Sequence, residues 1–237
     1  MKIGLFDSGV GGLNVLSEFI NKYPNNIYYY YGDTKNVPYG EKDKEILLKL
    51  SIDIVKFFEE KQVDLIIIAC GTISSTCYEE LKKITKIPII DIITPVINYL
   101  KEIEKDNILV FGTKRTIDSH IFKNNLSKNV IEIQTPEFVP MIENFQIDTK
   151  IIKNYLSNKD YNVLVLGCTH YPLLIPEFKK YLKEDTLIVD MGKVLVSNLN
   201  LTNDFKLEIN LFFTKIDDNL LKNINNIIKH KYFLTEV

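Results

Sequence analysis

Two cysteines in this chain stand at the ends of apolar runs, each followed closely by a threonine. Leu65 to Ile68 leads into Ala69-Cys70-Gly71-Thr72, and Val163 to Leu166 leads into Gly167-Cys168-Thr169-His170. A thiol with an ordinary pKa of about 8.5 is mostly protonated near neutral pH, so it is an acid as it stands and a base only once tuned. Two thiols facing one carbon from opposite sides suit the inversion of a stereocentre: one removes the α-proton, the other returns a proton to the opposite face, and the roles exchange with direction. The sulfur attacks hydrogen, so no covalent intermediate is expected. Each thiol has a candidate helper: Asp7 is suited to accept a proton from Cys70 or to orient it, and His170 follows Cys168 by two residues. Ser8, Thr72, Thr113, Thr116 and Thr169, with the turn at Tyr39-Gly40, offer donors for the carboxylates of an amino acid and hydroxyl oxygens to accept from its ammonium group. Helix amino termini after such loops favour anions.

The elements that must position these residues follow a repeated grammar. Lys2 to Phe6 reads as a short buried strand running into the glycine-rich turn Asp7-Ser8-Gly9-Val10-Gly11-Gly12, ahead of an apolar-periodic helix. Ile27 to Tyr31 reads as a strand, its tyrosines packing with one face exposed, and a loop then reaches Pro38-Tyr39-Gly40. Asp43 to Gln62 spaces Leu47, Leu50, Ile54 and Phe57 or Phe58 as an amphipathic helix does. Leu65 to Ile68 is uninterrupted and apolar, as a parallel strand buried on both faces should be. Ser74 to Lys83 is expected to be helical and Ile87 to Ile93 to be strand. Past Thr94-Pro95 come a helix to about Glu104, a strand from Ile108 to Phe111 and the turn Gly112 to Thr116.

The strand-cysteine-threonine context recurs about a hundred residues later, and the opening strands at Ile3 and Ile108 are offset similarly, which predicts an internal duplication. The expected fold is α/β: two pseudo-symmetric lobes, each a mostly parallel sheet flanked by helices, with the site in the cleft between them. Residues 1–95 would form the first lobe and 96–204 the second. The strand-like stretch from Phe205 to Thr214 and the helix to about Lys229 either return to the first lobe or extend the second. In open parallel sheets ligands bind at the carboxyl ends of the strands, where every polar motif named above falls.

Composition narrows the chemistry. Twenty-nine basic against thirty-one acidic residues, a net charge of −2, leave no large basic footprint for nucleic acid. No apolar run approaches the roughly 20 residues that span a bilayer, and the amino terminus lacks the features of a secretory signal, so a cytoplasmic protein acting on a small molecule is expected. The three cysteines, Cys70, Cys77 and Cys168, are read as free thiols, and the scattered His120, His170 and His230 give no metal-ligand spacing. No metal is expected. A single cysteine after an apolar strand is more often packing than chemistry, and Cys77 keeps that reading. The repeated context lifts Cys70 and Cys168 out of it. Asp7-Ser8-Gly9 alone would pass for a helix cap, and its glycines match neither GxGxxG nor GK[ST].

Taken together, Phe6-Asp7-Ser8-Gly9-Val10-Gly11-Gly12, Val37-Pro38-Tyr39-Gly40, Ala69-Cys70-x-Thr72, Phe138-Val139-Pro140-x-x-Glu143 and Gly167-Cys168-Thr169-His170-Tyr171-Pro172-Leu173 resemble the bacterial glutamate racemases of the aspartate/glutamate racemase superfamily. The resemblance implies cofactor-independent interconversion of L- and D-glutamate, supplying D-glutamate for peptidoglycan. It implies Cys70 and Cys168 as the two bases, Asp7 and His170 assisting them and Glu143 orienting His170. Substrate contacts would come from Asp7, Ser8, Tyr39, Gly40, Gly71, Thr72, Thr169 and His170. It also implies homodimers, and a carboxyl-terminal segment, residues 205–237, that returns to the first lobe.

One residue departs from the pattern. The family usually carries Asn after the first cysteine, where this chain has Gly71. An Asn side chain brings two donors and an acceptor, and glycine brings only its backbone. This keeps open a related racemase with another substrate, such as aspartate, for which Gly71→Asn would change the preference. A non-catalytic relative that keeps the fold, and a thiol hydrolase using Cys168 and His170 alone, are the readings from other classes.

Overall fold

The computed structural model describes residues 1–202 and 204–237. The chain builds two parallel sheets. The first half runs β1 (Lys2–Asp7), α1 (Gly12–Lys22), β2 (Ile27–Gly32), α2 (Lys44–Glu60), β3 (Leu65–Ile68), α3 (Gly71–Ile84), β4 (Ile89–Asp91) and α4 (Thr94–Glu102). The second runs β5 (Asn107–Gly112), α5 (Lys114–Asp118), α6 (Ile121–Asn125), β6 (Asn129–Gln134), α7 (Phe138–Glu143), α8 (Thr149–Leu156), β7 (Val163–Gly167), α9 (Ile175–Phe178), β8 (Leu187–Asp190) and α10 (Met191–Ser197). The chain ends with β9 (Glu208–Phe213), α11 (Asp218–Ile227) and β10 (Phe233–Glu236).

The strand orders show the duplication directly. The second sheet is ordered β6-β5-β7-β8, and the first contains β2-β1-β3-β4, the same arrangement of four strands, extended by β9 and β10 beside β2. Every neighbouring pair is parallel. β3 and β7 therefore hold equivalent places, and their carboxyl ends deliver Cys70 and Cys168. Both strands are buried along their whole length, as their uninterrupted Leu, Ile and Val content requires of strands covered on two faces.

The carboxyl-terminal segment corrects the reading of the tyrosine strand. β9 pairs with β2 from Ile27↔Glu208 to Gly32↔Phe213, so β2 is an interior strand. Tyr28 and Tyr30 are buried, and Tyr29 and Tyr31 are half-buried against Phe212 and Phe57 rather than exposed. Buried hydroxyls need partners. Tyr28 donates to the Tyr23 carbonyl at 2.7 Å and Tyr30 to the Gly9 carbonyl at 2.6 Å. The helix expected from Ser74 begins at Gly71, the strand expected from Ile87 to Ile93 is only Ile89–Asp91, and β6, β8 and β10 carried too weak an alternation to read.

One apolar core joins the two sheets. Val15, Leu16 and Phe19 of α1, Val96 and Leu100 of α4, and Leu195 and Val196 of α10 belong to a single buried cluster with the inner faces of β1 and β7. Separate clusters fill the outer faces of each sheet, one around Phe58 and Ile66, the other around Phe111, Phe138 and Phe178. The halves are thus fused along one side, and their strand ends face a common cavity on the other. No helix among the described residues is long and apolar enough to cross a membrane.

Candidate active site

The carboxyl ends of β1, β3, β5 and β7 surround a cavity of about 430 Å³. Asp7, Ser8, Tyr39, Gly40, Cys70, Gly71, Thr72, Thr113, Glu143, Cys168, Thr169 and His170 all line it. Residues up to 163 positions apart in sequence are brought together because each parallel strand ends on the same side.

Cys70 closes β3 and immediately precedes α3, with extended backbone. It is buried. Burial pushes its thiol well above the ordinary value, and the negative charge of Asp7 adds to this. The Ile73 amide, in the first turn of α3, pulls the other way without prevailing. Cys70 therefore rests as a thiol. Asp7 is itself held by the Gly12 amide, which donates to its Oδ2 at 2.8 Å, and by the Thr169 hydroxyl at 3.3 Å, a bond between the halves.

Cys168 occupies the equivalent place but has different company. A short 3₁₀ turn, Tyr171–Leu174, follows it instead of a long helix. Its Sγ lies 3.7 Å from His170 Nδ1, and His170 Nε2 lies 2.9 Å from Glu143 Oε1. Burial is the largest influence on His170 and pulls its pKa down, yet the hydrogen bonds and charges of Cys168 and Glu143 together outweigh it and hold the imidazole well above its usual value. The protonated imidazole is thus favoured, and its Nδ1 faces the sulfur. α7 carries Glu143, whose carbonyl accepts from Asn219 Nδ2 of α11 at 2.8 Å.

The hydroxyl donors form a chain across the cleft. Thr72 Oγ1 of α3 lies 2.9 Å from Thr113 Oγ1, which lies 3.0 Å from Thr116 Oγ1. Thr116 does not line the cavity. It is fully buried one shell behind Thr113, because α5 turns its side chain inward, so its reach to a substrate runs through Thr113. Tyr39 lines the cavity, and its hydroxyl donates to Asp33 Oδ2 at 2.6 Å, which leaves the Tyr39-Gly40 turn to act through its amides. Gly71 also lines the wall, and a Cβ there would fall 2.8 Å from the Gly167 carbonyl oxygen. The missing side chain is thus what lets α3 abut the end of β7.

Several contributors escape a reading of sequence. Lys114, Gln134, Thr135, Val139 and Tyr171 also line the cavity, and Asp33, Asn14 and Asn219 hold lining residues from behind. Lys114, Val139 and Tyr171 stand inside motifs already singled out, and that adjacency was the available signal. Asp33 is a local partner of Tyr39, and the others are ordinary polar residues whose role exists only once distant parts of the chain meet. Cys77 lies outside the cavity, its thiol raised to about 11 chiefly by burial, and it packs in the outer core. Among the described residues, no group of three His, Cys, Asp or Glu side chains is placed to hold a metal ion.

Known proteins share this fold. A glutamate racemase from Aquifex pyrophilus is 37% identical over 98% of this chain and 96% of its own. A solved glutamate racemase structure from Campylobacter jejuni superposes with a TM-score of 0.88 at 32% identity, covering 98% of this chain and 100% of its own. A Francisella tularensis glutamate racemase solved in complex with D-glutamate superposes with a TM-score of 0.88 at 27% identity, over 100% of this chain and 97% of its own. Residues 28–199 match the family described as Asp/Glu/hydantoin racemase. With its duplicated sheets and paired strand-end cysteines, the chain belongs to the Asp/Glu/hydantoin racemase family.

Proposed function

We propose that the protein interconverts L- and D-glutamate by cofactor-independent two-base proton transfer, with Cys70 and Cys168 as the bases. The observation that carries the proposal is that two cysteines from equivalent strand ends line one cavity. The named activity of the relatives supplies the substrate.

A substrate α-carbon between the sulfurs would lose its proton to one thiolate and regain one from the opposite thiol. The two ends of the site differ: Cys70 holds its proton through burial and Asp7, while His170, raised in pKa by its partners, lies 3.7 Å from the Cys168 sulfur. One direction of the reaction requires the proton to be on Cys168 and Cys70 to be ionised, with Asp7 accepting from or orienting it. Removal of an α-proton builds negative charge on the adjacent carboxylate. Oriented amides and hydroxyls at Ser8, Gly40, Gly71, Thr72, Thr113 and Thr169 would stabilise that charge without reorganising.

The supply of D-glutamate to peptidoglycan, a cytoplasmic location and assembly as a homodimer belong to the same reading. So does the division into a first lobe of residues 1–95 with 205–237 and a second of 96–204, supported by the sheet to which each strand belongs. Following the optical rotation of separate L- and D-glutamate and L- and D-aspartate solutions tests the substrate. Decay of both glutamate enantiomers to racemate is expected. Racemisation of aspartate in preference to glutamate would move the substrate, and inertness toward both would end the proposal.

A further inference from the structure

The turn that carries Cys168 is fastened from the other half of the molecule. Of the three carbonyls in Cys168-Thr169-His170, two are taken by the turn itself: Tyr171 N donates to Cys168 O at 3.1 Å and Leu173 N to His170 O at 3.1 Å. The middle one accepts from outside, where Asn14 Nδ2, in the first turn of α1, donates to Thr169 O at 2.9 Å. The same amide nitrogen donates to the Gly11 carbonyl at 3.0 Å, which fixes its orientation, since an amide oxygen there would confront two carbonyl oxygens. Gly11 lies so close beneath the turn that a Cβ on it would run into His170 Nδ1 and Thr169 Oγ1. Asp7 takes the Thr169 hydroxyl from the same side.

We infer that Asn14 is a positioning residue that sets Cys168 and His170 against the half carrying Cys70, by pinning the Thr169 carbonyl. A peptide plane held at its oxygen fixes the residues on either side of it, here Thr169 and His170, and so holds the imidazole 3.7 Å from the Cys168 thiol. Among the described residues no hydrogen bond joins Asn14 to the Cys70 turn, which opens directly into α3. Asn14 therefore acts first on the Cys168 transfer, and on the Cys70 transfer only at one remove, through the 3.3 Å bond from Thr169 to Asp7. This rests on the two-base reading, and a wild-type protein that fails to racemise glutamate would remove that reading before Asn14 is in question.

The uneven effect has a kinetic signature. Racemisation has an equilibrium constant of one, so kcat/KM must stay equal for the two enantiomers however the site is damaged. Primary isotope effects with α-deuterated substrate are free to diverge. Slowing the Cys168 step raises the isotope effect on kcat/KM for the enantiomer that Cys168 deprotonates, and lowers it for the other, whose deuteron leaves in the less affected Cys70 step. Asn14→Ala deletes the pin, and Asn14→Asp replaces the donor with an acceptor facing two carbonyls. Cys168→Ser and Cys70→Ser calibrate the two senses of divergence. For whichever Asn14 variant keeps the wild-type circular dichroism spectrum, kcat/KM is expected to fall roughly 10- to 100-fold, as small misplacements of catalytic groups do. The two isotope effects should separate in the sense of Cys168→Ser. Isotope effects that stay together, that separate in the sense of Cys70→Ser, or an unchanged kcat/KM would overturn the assignment.

Discussion

At the scale of single residues, the two thiols hold equivalent places but are supported by different means. Cys70 has Asp7 and the start of α3, and Cys168 has His170 backed by Glu143. The second arrangement makes a signed prediction. His170 titrates high because its partners outweigh its burial, so Glu143→Gln, which removes a charge but keeps the shape, lets burial regain ground and lowers its pKa. The alkaline limb of the pH profile of kcat/KM should move to lower pH, with about a tenfold loss above that limb for each unit moved. A pH titration of activity in the wild type and the variant checks it; an unmoved limb would detach Glu143 from the chemistry. Much of this scale was legible beforehand, because Asp7, Cys70, Cys168 and His170 sit in short contiguous motifs. Asn14 was not, since an amide that acts on a residue 155 positions away in the chain leaves no local pattern.

At the scale of elements, the approach of α3 to β7 is set by a residue that has no side chain. Gly71 has an ordinary helical backbone, with no positive φ at any glycine, so alanine there should favour the helix. The Gly167 carbonyl 2.8 Å from the would-be Cβ opposes this. Because the obstacle is backbone, it cannot rotate away. We expect Gly71→Ala to destabilise by about 1–3 kcal/mol, as overpacking does, and to raise KM by spreading the cavity walls. Thermal denaturation alongside substrate saturation curves measures both, and a more stable, fully active variant would refute the close approach. The same geometry bears on Gly71→Asn: an Asn side chain meets the same carbonyl before it reaches a substrate. Sequence exposed the departure at Gly71 but not its cause, which lies in a strand end almost a hundred residues away. Helix and strand types were legible from periodicity in α2, β3 and β7. The edges of α3 and β4 were not, because capping by Cys70 and the short reach of Ile89–Asp91 are decided by neighbours in space.

At the scale of the whole molecule, the carboxyl-terminal segment completes the half that began the chain. β9 covers the edge of β2, and α11 holds the carbonyl of Glu143 through Asn219. Removing residues 205–237 would bare the tyrosine-rich β2 as a free edge and loosen Glu143, so the truncated chain should aggregate or lose cooperative unfolding. Size-exclusion chromatography with a thermal melt tests this, and a monodisperse, cooperatively folding truncation would contradict it. The return of this segment could not be read from its composition, since strand order is a long-range property. A cavity walled by both halves further predicts that glutamate stabilises the native state, by about 2.7 kcal/mol at a concentration one hundred times its dissociation constant. The melting midpoint with and without glutamate provides that measurement.

The central claim, that two thiols work on opposite faces of one carbon, is tested most directly by proton NMR in deuterated water. L- and D-glutamate are followed separately with the wild-type protein, Cys70→Ala and Cys168→Ala. The wild type should place deuterium at the α-carbon of the inverted product from either enantiomer, and each alanine variant should lose racemisation by at least about a hundredfold. Either variant racemising at the wild-type rate would contradict it.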